Sequence, residues 1–452
     1  LLNYNILVIR GEIIKITNIK VKNFKSFDNL NIDLEKLNVL IGANASGKSN
    51  FIDIFRFIRD VGEKGLDNAI SLQGGPYYIK NLNNPNNQNL SIDITGDLSG
   101  HPANFGSGYF DISIRKIKYS FNIKFLKTKP KYIIQDEKLI FLCNFEKVGE
   151  GDDKPLGEIE YPSEVLIKPV SKSESNEKKL SKKGEIKLIR KSEGKYLVDV
   201  KPKYFSKCFP QSIKYTRVKN YKSKIIVDFP FAFLPFSLFL NRLLESVKIY
   251  DFSAKLAKKT CLITGISQLE HDGSNLAVVL KKIIEDKDKN KKFSNLVKDI
   301  LPFINKFSVD NIVGKSLLIN LKEKYSKDNY LPSFLLSDGT INIVALIIAL
   351  YFEDSEFTII EEPERNIHPS LMSKFMDMAK DSVSTLDKHI LITTHNPEIV
   401  RNTDPNNLLF SKRDEKTGCS KIYKPTNKKE VKTFLENEIG IDELFVQNLL
   451  EW

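Results

Sequence analysis

Cysteine, histidine, methionine and tryptophan are all scarce: 452 residues carry four Cys, five His, three Met and one Trp. The cysteines, Cys143, Cys208, Cys261 and Cys419, lie far apart and show no Cys-x-x-Cys spacing. This argues against a zinc module or a disulfide scaffold and for a reducing, cytoplasmic setting. Long apolar runs are missing too. The most apolar stretches, FPFAFLPFSLFL at 229–240 and INIVALIIALYF at 341–352, fall short of the roughly 20 residues of a membrane span and read as buried helices. No membrane partner is expected. The first residues, LLNYNILVIRGEIIKI, lack the apolar core and cleavage site of a signal peptide. They also lack an initiator Met, so the true start can differ from residue 1.

What is present is bulk and positive charge. A chain of 51.7 kDa can hold two or three cores, which allows a split or inserted architecture. The net charge of +12 raises the question of nucleic acid, because clustered lysines displace counterions from phosphates. The densest lysine run, at 168–191, alternates with Glu and Ser and reads as a solvated loop as readily as a contact surface.

Strand-like segments open the chain at 12–24, 29–34 and 37–42. The third runs into GANASGKS (42–49), which leads into the helix-patterned NFIDIFRFIRDVGEKG. Residues 81–108 read as polar and turn-rich. Alternating segments at 110–126, 131–145 and 184–200 imply an antiparallel β region. A block at 231–309, including LFLNRLLESVKIYDF, reads as helical, with Asp272 or Ser274 placed to cap the helix after HDGSN. The remainder alternates strand and helix, as parallel-sheet units do. The expected organisation is an α/β chain with domains at 1–110, 111–230 (β-rich insertion), 231–310 (helical lobe) and 311–452.

GANASGKS satisfies G-x-x-x-x-G-K-[ST] and sits between a strand and a helix. Gly42 and Gly47 permit the turns that aim N–H groups at phosphate oxygens, and the helix adds the positive end of its dipole. Lys48 is expected between the β- and γ-phosphates and Ser49 on Mg²⁺, with Asn44, Ser46 and Asn50 completing the ATP-binding set. The implied ligands are ATP and Mg²⁺.

FTIIEEPE (357–364) admits two readings. In one, a buried strand surfaces in solvated charge and Pro363 ends its pairing. In the other, Glu361 orients the metal and Glu362, one position on, orients the attacking water. The phosphate loop favours the second. Adjacent strand residues point to opposite faces, so the second also requires the chain to bend there.

LLSDGT (335–340), TIIEEPERNIHP (358–369) and LITTHNPEIV (391–400), in this order after the phosphate loop, resemble the ABC-type ATPases of the SMC/RecF branch. Within that branch they are similar to the stand-alone AAA_21 and OLD-like ATPases. The resemblance covers both ends of the chain and little of the β-rich middle. It implies an ABC-ATPase head, a P-loop NTPase fold, with the β-rich insertion and helical lobe between its halves. Ser337 and the N–H groups near Gly339 and Thr340 would be the signature that contacts a γ-phosphate held by another subunit. Glu362 would be the catalytic base, Lys48 and His395 its partners on the γ-phosphate, Asn366 a D-loop residue, and Gln73, in SLQGG, a Q-loop residue near the metal. The sequence departs from the pattern in having Glu-Glu for the usual Asp-Glu, and Asp338 and Thr340 in the signature. Ser337 or Asp338 also fits a plain helix cap, and His395 alone fits a packed or surface imidazole.

The resemblance implies an ATP-dependent homodimer, extending in some arrangements to a larger oligomer. It further implies a separately encoded effector, in antiphage defence or DNA maintenance. The alternative is a DNA-binding, DNA-stimulated ATPase acting in repair or recombination. Residues 110–310 lack the heptads of a long coiled coil. About 50 residues follow His395 without a cluster of acidic metal ligands, so no intrinsic nuclease domain is expected.

Overall fold

Strands of strict alternation and strands of unbroken apolar sequence occur in different parts of this chain. The computed structural model describes residues 14–427 except 85–86, 99–102, 107–109, 128–130, 148–180, 191–194, 202–214, 218–223, 229–235, 264, 266–267, 313 and 327–328, together with Glu443. Two units are distinguished: Leu1–Asp33 with Phe57–Glu245, and Leu34–Arg56 with Ser246–Trp452.

The first unit is an antiparallel sheet. Its strands are β1 (Lys15–Phe24), β2 (Phe27–Asp33), β4 (Asn89–Asp97), β5 (Ala103–Gly106), β6 (Phe110–Phe125), β7 (Tyr132–Lys147), β8 (Ser181–Arg190), β9 (Lys195–Lys201) and β10 (Tyr215–Arg217). They run in the order β10-β9-β8-β7-β6-β4-β1-β2, with β5 on β6. Alternation explains the sheet: Leu90, Ile92 and Ile94 are buried from one face of β4, while Asn89, Ser91, Asp93 and Thr95 take the other. β4 corrects the reading of 81–108 as turn-rich throughout. Flanking Asn and Gly obscured its short LSIDI pattern. The Asn-rich approach is pinned by buried Asn23, which donates to the carbonyls of Asn87 and Asn89 and accepts from Asn81 N–H. Of the lysine-rich run, 181–190 form β8, and 168–180 lie outside the described residues. Helices α2 (Leu66–Leu72) and α3 (Phe236–Glu245) also belong to this unit.

The second unit is built on a mostly parallel sheet. Its strands are β3 (Leu37–Ile41), β11 (Val247–Tyr250), β16 (Phe357–Glu361), β17 (His389–Thr394), β18 (Leu408–Arg413) and β19 (Ser420–Tyr423). The order is β11-β16-β17-β3-β18-β19, antiparallel only at β18/β19. All of β3 and β17 is buried, as expected for central parallel strands covered on both faces. β11 revises the helical reading of LFLNRLLESVKIYDF: the helix stops at Glu245 and VKIY is a strand, four residues being too few to display a period. Helix α1 (Lys48–Lys64) begins in this unit, where Phe55 packs edge-on against Phe357 of β16.

A second, antiparallel sheet joins β12 (Cys261–Leu262), β13 (Ile304–Ile312), β14 (Ser316–Glu323) and β15 (Leu331–Pro332). Further helices are α4 (Ala254–Ala257), α5 (Leu276–Glu285), α6 (Lys287–Ile300), α7 (Asp338–Tyr351), α8 (Met372–Thr385) and α9 (Pro397–Arg401). Helix α7, the INIVALIIALY run, is buried on every side, which is why it shows no polar face. The N-cap of α5 is Asn275. Asp272 instead accepts from Ser274 N–H in the preceding turn, so neither proposed cap serves.

Lys388 is buried beneath α7 and donates to the Glu353 carbonyl at 2.6 Å. Burial pushes its amine down to about 8 against the pull of Glu353. The folded state therefore holds this proton less tightly than the unfolded chain. The associated destabilisation is fully present below pH 8 and is relieved as the pH rises toward 10.5, to the extent of about 3 kcal/mol. Lys388→Met is expected to gain stability over the wild type at pH 7, with the gain shrinking by pH 10. Urea midpoints at the two pH values check this, and a pH-independent difference would contradict it.

Candidate functional site

Parallel register brings three strand ends to one edge of the second unit: Ile41 pairs with Thr394, and Thr393 with Glu361. The C-terminal edge of a parallel sheet is where such folds place ligands. From β3 the chain enters the glycine-rich loop GANASGKS (42–49). A Cβ on Gly42 would stand 2.4 Å from the Ser411 carbonyl on β18, so only glycine fits there. Gly47 takes φ +113° and Ala45 φ +62°, and α1 starts at Lys48. The Lys48 ammonium curls back to donate to the carbonyls of Gly42 (2.6 Å) and Ala43 (3.1 Å). Burial lowers its pKa from the usual lysine value, while the carboxylates of Glu362 and Glu364 pull it back up. Asn44 and Ser49 are exposed, Asn50 is half-buried, and the buried Ser46 hydroxyl has no hydrogen-bond partner. The Ser411 hydroxyl fixes the loop by donating to the Ser46 carbonyl at 3.1 Å.

Glu361 ends β16 and is ion-paired with Arg56 of α1. Burial pushes its carboxyl up to about 7, the Arg56 guanidinium pulling the other way. At Glu362 the backbone turns to φ +44° while its N–H still donates to the Thr393 carbonyl at 2.9 Å. Strand alternation therefore ends between the two glutamates, which supplies the bend that separate roles require. Glu362 Oε2 accepts from Arg365 Nε at 2.9 Å, and Arg365 also pairs with Asp251 after β11. His395, 56% exposed, follows β17, its Nδ1 3.7 Å from Glu362 Oε1 and 3.4 Å from Glu364 Oε1.

Ser337 caps α7, accepting from Thr340 N–H at 3.1 Å, and Asp338 pairs with Lys258. Gly339 lies against the loop after β16: a Cβ there would meet the Asn366 carbonyl at 2.6 Å. Asn366 itself takes φ +61°, and Asn342 donates to the Arg365 carbonyl at 2.8 Å. Gln73 is the C-cap residue of α2, in the first unit.

Three participants escaped the sequence. Arg56 and Arg365 carry no motif, and only the fold pairs them with Glu361 and Glu362. Glu364 was visible as the third glutamate of EEPE, and nothing in the sequence separated it from solvated charge.

A family model described as "AAA domain, putative AbiEii toxin, Type IV TA system" matches residues 37–142 and 159–401. The chain belongs to the AAA_21 family. The matched family is one of AAA-type ATPase domains. Endonuclease GajA of Bacillus cereus (strain VD045) is 46% identical over 46 residues, which is 10% of this AAA_21 chain and 8% of GajA. Similar solved structures include an SMC head bound to the C-winged helix domain of ScpA, with TM-score 0.47 and 13% identity over 90% of this chain and 97% of that one. Another is the Pyrococcus furiosus SMC head with an extended coiled coil bound to the C-terminal domain of ScpA, with TM-score 0.44 and 12% identity over 94% and 100%. A third, the SMC head domain from Thermotoga maritima, gives TM-score 0.38 and 12% identity over 91% and 98%. No helix of the described residues is long and apolar enough to cross a membrane.

Proposed function

We propose that the chain is an ATP-gated switch. Two copies pair head to tail around two ATP molecules, and the pairing controls a separately encoded effector in antiphage defence or DNA maintenance. The observation that carries the catalytic part is geometric: parallel register brings the ends of β3, β16 and β17 to one edge, so the loop that holds Lys48, the Glu361–Glu362 pair and His395, 3.7 Å from Glu362, leave the sheet together.

In this reading Gly42, Asn44, Ser46, Gly47, Lys48, Ser49 and Asn50 cradle the phosphates. Lys48 leaves its two loop carbonyls for phosphate oxygens, exchanging neutral acceptors for charged ones. Glu362, free of the strand pleat, orients the attacking water and takes its proton, and His395 stands across from it at the γ-phosphate. The Ser49 hydroxyl and the Glu361 carboxylate would hold Mg²⁺, Glu361 exchanging its Arg56 partner for the cation. They are hard oxygen donors, and one carboxylate with phosphates and waters is the set Mg²⁺ prefers. When bound, Mg²⁺ neutralises charge on the β- and γ-phosphates. Ser337 and Gly339, at the N-terminus of α7, would complete the partner's site, so ATP joins the subunits and hydrolysis releases them. The family description names a toxin and GajA is named an endonuclease. We assign any such chemistry to the effector.

A second reading, direct engagement of DNA, is favoured by the net charge of +12 and by exposed Lys20, Lys22, Lys118 and Lys124 on β1 and β6. ATP turnover by the purified chain, with and without duplex DNA, tests both, with Lys48→Ala as blank. Turnover is expected to vanish in the blank, and its persistence there would overturn the site assignment. DNA stimulation that fades with salt would favour the second reading. Indifference to DNA would favour the protein effector.

A further inference from the structure

Glu364 has no place in the mechanism above, yet it is among the most enclosed carboxylates of the second unit, its side chain 6% exposed. One oxygen, Oε1, accepts from the Thr394 hydroxyl at 2.7 Å and from His395 N–H at 3.1 Å. The Thr394 hydroxyl in turn accepts from Asn396 N–H at 2.9 Å, so a single carboxylate oxygen ties down three consecutive residues at the end of β17. The other oxygen, Oε2, is buried and has no hydrogen-bond partner.

A neutral glutamine oxygen would serve the two donors on Oε1. A full negative charge with one oxygen unsatisfied is costly to bury, so an anchoring role alone does not account for a carboxylate here. Two charged or protonatable groups face it. Lys48 senses its charge across the site, and His395 Nδ1 lies 3.4 Å from it. A carboxylate beside one imidazole nitrogen fixes the orientation of the ring and turns the other nitrogen outward.

We propose that Glu364 is the positioning residue for His395: it fixes the backbone at the end of β17 and, through its charge, holds the Nδ1 edge of the ring so that Nε2 faces the γ-phosphate. This rests on the reading of the site as one for ATP. Glu364 acts through the histidine and touches neither phosphate nor water in the reaction.

The test is a double-mutant cycle on ATP turnover by the full chain, using Glu364→Gln, His395→Ala and the pair. Glu364→Gln keeps an oxygen for Thr394 and His395 N–H, removes the charge and puts an amide NH2 where Oε2 now has no partner. It is expected to lower kcat about tenfold with KM for ATP within about twofold, and to add nothing further in the His395→Ala background. A Glu364→Gln enzyme that turns over at the wild-type rate would show the residue to be an anchor only. Multiplicative losses in the double variant, or a loss seen in KM alone, would equally overturn the proposal. Because wild-type turnover is measured alongside, failure of the ATPase reading itself appears separately, as a wild type no faster than Lys48→Ala. Should Glu364→Gln fail to fold, Thr394→Val tests the same anchor: it releases one bond on Oε1 and is expected to lower kcat in the wild type but not in His395→Ala.

Discussion

Glu362→Gln is expected to lower ATP turnover about a thousandfold while leaving nucleotide binding intact. The exchange is nearly isosteric and keeps an oxygen for Arg365 Nε, so the left-handed turn at 362 and the Arg365–Asp251 pair can persist. What it removes is the ability to take a proton. With hydrolysis blocked, ATP should hold the subunits together, and the mass in solution should double on adding ATP with Mg²⁺. A variant that binds ATP and stays monomeric would count against the head-to-tail dimer. A loss of turnover below tenfold would count against Glu362 as the base.

The second large effect concerns stability and lies in the first unit. The Glu137 side chain is fully buried, and its carboxylate accepts from the Tyr119 hydroxyl and Ile226 N–H, both at 2.7 Å. It also faces the Arg190 guanidinium, 3.4 Å away and 4% exposed. Glu137→Ala removes the counter-charge from a buried cation and two acceptor bonds at once. Breaking a buried pair from one side costs about 3–5 kcal/mol. Hydrogen exchange across β6, β7 and β8 should show protection reduced by that amount, and Glu137→Gln, which keeps an acceptor, should lose less. A loss under about 1 kcal/mol in Glu137→Ala would mean that the guanidinium finds water or another partner.

The GANASGKS motif is legible in sequence because its pattern is local: two glycines, a lysine and a serine fall within eight residues. The β-rich region was legible from alternation, and α7 from its unbroken apolar run. Features that depend on distant partners were not. VKIY in β11 is identified as a strand only by pairing with β16, and Asn275 as the α5 cap only by the turn before it. Gly339 illustrates the same limit. In sequence it reads as a signature glycine aimed at another subunit, whereas in the fold any Cβ at this position would stand 2.6 Å from the Asn366 carbonyl of its own chain. Ser337 similarly fits both of its readings, since its hydroxyl caps α7 at the end where a phosphate would lie. Glu364 needed the fold, because burial and an unpartnered oxygen distinguish it from the exposed Arg365 and Asn366 that follow it.

If each ATP site is assembled from two copies, two inactive variants should restore one another's activity. Lys48→Ala leaves a sound signature on a dead phosphate loop, and Ser337→Arg the reverse. Each alone should be inactive. Mixed in equal amounts, half the dimers would pair unlike subunits and hold one intact site, so turnover should return to about a quarter of the wild-type rate. Two inactive variants that remain inactive when mixed, though each still binds its partner, would contradict the account.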